Sequence, residues 1–380
     1  PKTKDQRPIM KNILQLIGSF HQGGSERQAV QLTRLLAESG RHRIFVAALN
    51  NEGVLKPEID SLGLPPVAEF PLTSFYDANF AKQISKCVRF LKENRIDIVH
   101  THDFYSNVFG VAAARAAGVR LKIASKRETS GMRSRAQQFV EKAIFRTADR
   151  IVANSEAVRN YLTDEGVKRE KISVIYNGLD LERLMPETVD RENICAEFNL
   201  PADGSIKFIT LVANLRHKVK NHPMFLRAAG RITGAFPEAH FVLAGEGGLK
   251  GELEELARRL KIGEKAHFIG RCERVPELLS ISSIGVLTSF AEGFSNSILE
   301  YMAARLPVVA TRVGGADEAV VENETGFLID SDDDAALADR LMRLLKDEKM
   351  AANFGQKARQ LAEEKFSLKT QLENTLRLYE

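Results

Sequence analysis

NILQLIGSFHQGGSERQAVQLTRLLAESGRHRIFVAALN spans Asn12–Asn50. An apolar run of strand length, Asn12–Gly18, enters a turn holding Gly23 and Gly24. A helix-like segment, Arg27–Gly40, follows, and a second strand-length run starts at His42. Strand, glycine turn, helix and strand in that order form a βαβ unit, whose strands lie parallel in a buried sheet.

The alternation continues outward. The runs IDIVHTH, LKIASK, RIVANS and ISVIYNG are separated by the helical patterns FAKQISKCVRFLKENR, NVFGVAAARAAG and VEKAIFRTA. It pauses in a charged stretch, Leu179–Gly204, then restarts with KFITLVANL, HFVLAG, AHFIG, IGVLTS, PVVAT and TGFLID. The expected fold class is α/β, with two Rossmann-like, doubly wound domains. Residues 1–182 form the first, residues 183–365 the second, and residues 366–380 a C-terminal helix that packs back on the first. Such sheets bind ligands at the carboxyl ends of their strands, which makes the cleft between two of them the default site.

Composition agrees with a soluble globular chain of 380 residues, 44% hydrophobic and 27% charged. No stretch approaches the ~20 apolar residues that cross a bilayer. Cys87, Cys195 and Cys272 are widely spaced and odd in number, as expected of reduced, buried thiols in a cytoplasmic protein. Charge is uneven: residues 1–150 hold 24 Lys/Arg against 14 Asp/Glu, although the whole chain is only +4. The excess gathers in Arg115–Arg150. There Phe139, Val140, Ile144 and Phe145 fall near helical spacing, with Arg133, Arg135, Lys142 and Arg146 on other faces. This stretch reads either as a peripheral contact with anionic lipid on the inner membrane face or as an ordinary solvated helix. Nucleic acid is not expected, because no reader motif accompanies the basic residues.

Several strand exits carry polar groups. Gly23 and Gly24 either merely turn the chain or let backbone come close to a ligand, with the helix start beyond them offering N–H groups to an anion. Their spacing is neither G-x-G-x-x-G nor a P-loop. In DIVHTHDFYSN, His100 and His102 share one side of a strand, and no third metal ligand adjoins them. LVANLRHKVKNH delivers Arg216, Lys218 and Lys220, cations suited to a diphosphate or to a solvated loop. VLAGEGG, with Gly245 and Glu246, and FIGRCERV, with Arg271 and Val275, could wrap a base or ribose through backbone groups. EGFSNSILE places Glu292 in a loop and Glu300 in an early helix turn. Ser297 and Glu300 also fit an S-x-x-E capping box, in which Glu300 only ties off the helix. Asp332–Asp334 reads as a turn and helix cap, and no metal site is expected.

EGFSNSILEYMAARLPVVATRVGG resembles the signature of the retaining glycosyltransferases of family 4, which have the GT-B fold. The resemblance extends over nearly the whole chain, in order: GGSERQAVQLTRLLAESGRHR, DIVHTHD, RIVANSEAVRNYL, VIYNGLDLERL, VANLRHKVKNHPMFLRAA, FVLAGEG, FIGRCERVPELL and TGFLIDSDD. It implies two domains facing each other across a cleft and a nucleotide-sugar co-substrate, with a UDP-sugar favoured. No cofactor or metal is required. Glu300 would accept the ribose hydroxyls, and Glu292 would meet the sugar near its anomeric carbon. Backbone N–H groups of Phe294, Ser295, Asn296 and Ser297 would bind sugar and diphosphate. Lys220 and Arg216 would neutralise the leaving diphosphate, and Gly23 and Gly24 would close over the phosphates. His102 would lie beside the acceptor or the transferred sugar, and Arg271 and Val275 would border the base.

The chain departs from the pattern twice. Ala213-Asn214-Leu215 stands where many members have Gly-Arg-Leu, and Ser295 stands where a glycine is common. The implied reaction moves a hexose or N-acetylhexosamine, with retention, to a saccharide or lipid-linked acceptor of the cell envelope. Front-face and covalent mechanisms both remain open. A sugar-nucleotide epimerase shares the architecture, and a non-catalytic saccharide-binding protein is the alternative outside the enzymes.

Overall fold

A computed structural model describes residues 10–21, 23–75, 77–129, 134–181 and 189–380. Seven parallel strands form the first sheet: β1 Asn12–Ile17, β2 Arg43–Ala48, β3 Ala68–Glu69, β4 Ile98–Thr101, β5 Leu121–Lys126, β6 Arg150–Ala153 and β7 Ile172–Val174. Their spatial order is β3-β2-β1-β4-β5-β6-β7. The interleaved helices are α1 Gly24–Ser39, α2 Lys56–Asp60, α3 Ala78–Glu93, α4 Phe104–Ala117, α5 Arg135–Thr147 and α6 Glu156–Asp164. Helices on both faces bury β1 and β4, including the polar side chains of Gln15, His100 and Thr101.

The second sheet repeats the design with six parallel strands: β8 Lys207–Val212, β9 Ala239–Ala244, β10 Ala266–Gly270, β11 Ser282–Leu287, β12 Val308–Thr311 and β13 Gly326–Ile329. Their order is β10-β9-β8-β11-β12-β13. Its helices are α7 Arg191–Glu197, α8 His222–Ile232, α9 Lys250–Arg259, α10 Val275–Ser280, α11 Asn296–Ala303, α12 Ala316–Ala319, α13 Asp334–Lys346 and α14 Glu348–Lys365. A last helix, α15 Leu368–Tyr379, closes the series.

The chain divides into two compact units, one of residues up to Asn177 together with Leu368–Glu380, the other of Gly178–Ser367. The expected boundary at residues 182–183 lies outside the described residues. In the first unit, Leu376 and Tyr379 of α15 join Ile13, Leu36, Ile98 and Ile123 in one buried cluster.

Each sheet has one place where successive crossovers leave in opposite directions. In the first unit it falls between β1 and β4, in the second between β8 and β11. Loops there diverge and leave a crevice, which is where open α/β sheets bind ligands.

Candidate active site

At the β8–β11 switch point the two strand exits are stitched together. Beyond β8 the chain makes a single 3-10 turn at Lys218–Lys220, and Asn221 then takes a left-handed conformation, φ 47°, to start α8. Phe290 N donates to Val219 O at 2.8 Å, and Thr288 Oγ1 donates to Lys220 O at 2.9 Å. From this turn Lys220 Nζ reaches Glu292 Oε1 at 2.6 Å, and the Ser289 hydroxyl donates to the same oxygen at 2.6 Å. The carboxylate side chain is 12% exposed and the ammonium side chain 22%.

The loop carrying Glu292 is braced by the exit of β12. Thr311 Oγ1 donates to Ser289 O at 2.7 Å, and Gly315 N donates to Gly293 O at 2.7 Å. Gly314 has φ 55°, and a Cβ there would lie 2.3 Å from Glu292 O. Only glycine allows both the left-handed turn and this approach.

The capping box expected of Ser297 and Glu300 does not form. α11 begins one residue before Ser297, with Ser295 as its N-cap and no side-chain cap. Ser295 Oγ lies 2.9 Å from Ser297 Oγ instead. Glu300 is thereby carried into the second turn, where it is 3% exposed. Phe294 is buried against Phe366, with ring centroids 5.1 Å apart.

Tyr301, which the sequence did not single out, fixes this helix to the sheet. Its hydroxyl accepts from Val212 N at 2.7 Å and donates to Val286 O at 3.1 Å, bridging the last turns of β8 and β11. Tyr301→Phe leaves the half-buried Val212 N–H without that acceptor. The expected loss is about 1–3 kcal/mol of stability in urea unfolding.

Other expected residues lie along the neighbouring exits. Arg216 Nη2 donates to Glu246 Oε1 at 2.7 Å, on an exposed rim. Leu215 N donates to Glu246 O at 2.9 Å, and Gly245 N to Gly270 O at 2.8 Å, so the exits of β8, β9 and β10 adjoin. Val275 opens α10, and Arg271 pairs with Glu273 at 3.1 Å. Burial, with Glu277 and Glu300 adding their charge, pushes the Cys272 thiol up to about 11. A cavity of about 800 Å³ lies along β10, but it shares only Arg271 with the expected set.

Asp332 occupies a left-handed turn, φ 65°, and Asp333 caps α13 by accepting from Ala336 N at 2.8 Å. Arg227 and Arg231 hold Asp334 at 2.8 Å and 2.6 Å. Among the described residues no group of three His, Cys, Asp or Glu side chains is placed to hold a metal.

In the first unit, Gly18 N at the end of β1 donates to Asp103 Oδ2 at 2.8 Å, closing the β1–β4 switch point. Asp103 also caps α4 through Ser106. Gly23 is the N-cap of α1, and Gly24 its first residue. The start of α1 is occupied by the chain's own carboxylate: a Cβ on Gly23 would lie 2.0 Å from Glu26 Oε2. Burial, with Asp103 adding to it, raises the pKa of Glu26, against its own backbone N–H and Arg127.

His100 and His102 are each 1% exposed, with ring centroids 4.4 Å apart. They belong to a buried polar chain. His102 Nε2 meets Gln15 Oε1 at 2.7 Å, and Gln15 Nε2 donates to the Tyr379 hydroxyl at 2.9 Å. That hydroxyl lies 2.7 Å from His100 Nδ1, and His100 Nε2 lies 2.9 Å from Ser125 Oγ. Because the Gln15 amide gives its N–H to Tyr379, its oxygen faces His102, which must donate from Nε2. His102 Nδ1 is left as a buried acceptor with no partner among the described residues. Burial holds both rings neutral: His100 is pushed down to about 3, and His102 lies well below the usual range. A single polar residue inside an otherwise apolar strand, Gln15 in NILQLIG, was the signal for this chain.

The basic stretch contains α5. Arg133 lies outside the described residues. Phe145 is buried, Phe139 is 75% exposed, and Arg135 and Arg146 are exposed with it. Lys126 anchors the helix from beneath, with Nζ 2.9 Å from both oxygens of the buried Glu141. No helix among the described residues is long and apolar enough to cross a membrane.

Both halves of the chain match family profiles. Glycosyltransferase Family 4 covers residues 22–183, and Glycosyl transferases group 1 covers residues 196–361. The chain belongs to glycosyltransferase Family 4. It is therefore a glycosyltransferase, and its two parallel sheets are those of the GT-B fold. This Family 4 enzyme is 28% identical to N-acetyl-alpha-D-glucosaminyl L-malate synthase of Bacillus anthracis, over 90% of either chain. It is 24% identical to a Campylobacter jejuni alpha-1,4-N-acetyl-D-galactosaminyltransferase acting on an undecaprenol-diphosphate glycan, over 92% of this chain and 93% of that one. The crystal structure of Anabaena Alr3699/HepE in complex with UDP-glucose shares the fold. Its TM-score is 0.85 at 22% identity, over 97% of this chain and 99% of that one.

Proposed function

We propose that the enzyme transfers a hexose or N-acetylhexosamine from a UDP-sugar, with retention and without a metal, to a saccharide or lipid-linked acceptor in envelope polysaccharide or glycoconjugate synthesis. The observation that carries this is the Lys220–Glu292 pair, half-buried at the β8–β11 switch point beside the uncapped start of α11. The UDP-glucose bound by HepE and the undecaprenol-diphosphate glycan named for the C. jejuni relative support the choice of donor and acceptor.

Breaking the anomeric C–O bond leaves an electron pair on the diphosphate and positive charge on the sugar ring. Lys220 and Arg216 meet the growing negative charge, and the N–H groups of Phe294, Ser295, Asn296 and Ser297 add the positive end of α11. These groups take the place of a divalent cation. Glu292 accepts sugar hydroxyls near the anomeric carbon, while Glu300 accepts the ribose hydroxyls. Arg271, Val275, Gly245 and Glu246 border the nucleoside. On the first unit, Gly23 and Gly24 approach the phosphates, and the bare Nδ1 of His102 accepts from a sugar hydroxyl. The exposed face of α5, with Phe139 between Arg135 and Arg146, sits on anionic lipid.

Thermal unfolding with UDP-, GDP- and ADP-sugars in EDTA tests the donor, since a ligand bound only by the folded protein raises its stability. Stabilisation by UDP-sugars and slow release of free sugar are expected. Stabilisation by nicotinamide dinucleotides alone would sink the proposal, and loss of turnover in EDTA would remove the metal-free step. Vesicle co-sedimentation should weaken with added salt and in Phe139→Ala.

A further inference from the structure

Tyr379, the last residue of α15, is fully buried in the first unit and meets a side chain 364 residues earlier, that of Gln15. Lys11 pins its backbone, with Nζ donating to Tyr379 O at 2.5 Å. The ring stands edge-on to His100, centroids 5.8 Å apart and planes at 89°. At the far end of the polar chain Ser125 is held too, its carbonyl accepting from Asn107 Nδ2 at 2.8 Å.

The polarity of this chain follows link by link. A phenol has a single proton, and burial pushes the Tyr379 pKa up, so the group keeps it. Because Tyr379 accepts from Gln15 Nε2, it gives that proton to His100 Nδ1 at 2.7 Å. His100 then carries its own proton on Nε2, 2.9 Å from Ser125 Oγ. All four bonds run in one sense, from His102 toward Ser125. Reversing every bond keeps the same contacts, but it turns the Gln15 amide over and moves the His102 proton to Nδ1. The sense of the chain and the state of Nδ1 are therefore one variable, and Nδ1 is the atom with no partner among the described residues.

We infer that Tyr379 is a positioning residue: it couples the Ser125–His100 end of the chain to the Gln15–His102 end, and so holds His102 Nδ1 as a bare acceptor. Without that link the Gln15 amide can present either its oxygen or its nitrogen to His102, and the ring tautomer follows. Both rings stay neutral, so the control acts on the place of a proton and not on charge. The use of Nδ1 by a sugar hydroxyl rests on the function proposed above, whereas the tautomer rests on the hydrogen bonds alone.

Long-range proton–nitrogen NMR of the full chain, with its eight histidine rings nitrogen-labelled, reads which His102 nitrogen bears the proton, and His102→Asn identifies the signal. The unsubstituted protein should show Nε2–H and a bare Nδ1. Ser125→Ala removes the hydroxyl that accepts from His100, which strands an N–H unless the chain reverses. Although Ser125 stands four hydrogen bonds from His102, its loss should shift the His102 tautomer ratio toward Nδ1–H about tenfold, the weight of one such bond. Tyr379→Phe cuts the chain, so adding Ser125→Ala to it should move the His102 signal no further. Hydrolysis of UDP-glucose should fall in proportion to the fraction with Nδ1 bare. A proton on Nδ1 in the unsubstituted protein, an unmoved His102 signal in Ser125→Ala, or the same response to Ser125→Ala with and without Tyr379→Phe would each overturn the inference. A moved signal with unchanged hydrolysis overturns only the role given to His102 above, and lost hydrolysis with an unmoved signal overturns this inference alone.

Discussion

Lys220→Ala should lower the rate of donor cleavage about a hundredfold to a thousandfold, the usual cost of removing one group that meets charge developing in the transition state. The loss should fall on kcat more than on KM, because the diphosphate's extra charge appears only as the glycosidic bond breaks. Lys220 is held for this by its place at the end of the 3-10 turn, whose carbonyls are tied to the β11 exit. An alternative cause of inactivity is that the variant strands the Glu292 carboxylate, which is only 12% exposed. Urea unfolding separates the two, since a stranded charge lowers the midpoint of Lys220→Ala and Glu292→Gln in the same chain restores it. An unchanged midpoint beside the expected loss of kcat leaves the missing cation as the cause, and a kcat within tenfold of the original would remove Lys220 from the proposed mechanism.

Tyr379→Ala should destabilise the first unit by about 3–5 kcal/mol, the range for deleting a large buried ring. The residue is fully buried, and its hydroxyl holds both Gln15 and His100. Tyr379→Phe keeps the ring and removes only the hydroxyl, leaving those two groups without their common partner at a cost of about 1–3 kcal/mol. Hydrogen exchange at the amides of β1 and β4 reads the effect where it arises, without assuming that the two units unfold together. Unaltered protection in Tyr379→Ala would mean that α15 contributes nothing to that core.

The architecture was legible because buried parallel strands leave apolar runs that alternate with helices, and twelve of the thirteen strands show one; β3, only Ala68–Glu69, does not. The candidate site's residues were legible one at a time, from strand exits that carried Lys220, Glu292 and Glu300, and it was the family resemblance, not local pattern, that grouped them. That Lys220 bonds Glu292 depends on β8 and β11 being neighbours, and strand order is not written in local periodicity. Local rules also misplaced the start of α11. S-x-x-E at Ser297 satisfies a capping box, but helix formation from Asn296 lets the apolar residues Ile298, Leu299 and Met302 all reach the core. The roles of Tyr301 and Tyr379 were hidden for the same reason, since both act across sequence separations that only the folded chain closes.

The return of α15 to the first unit has a consequence for biosynthesis. The cluster of Ile13, Leu36 and Ile98 is completed by Leu376 and Tyr379, which follow the whole second unit in the chain. At a ribosomal rate of about 5–20 residues per second, the roughly 200 intervening residues take about 10–40 s. During that interval the nascent first unit carries an uncovered apolar seam and a His–Gln pair still open to water. Its final consolidation is post-translational in timing even though its strands emerge first, and that seam is where a ribosome-associated chaperone would find purchase.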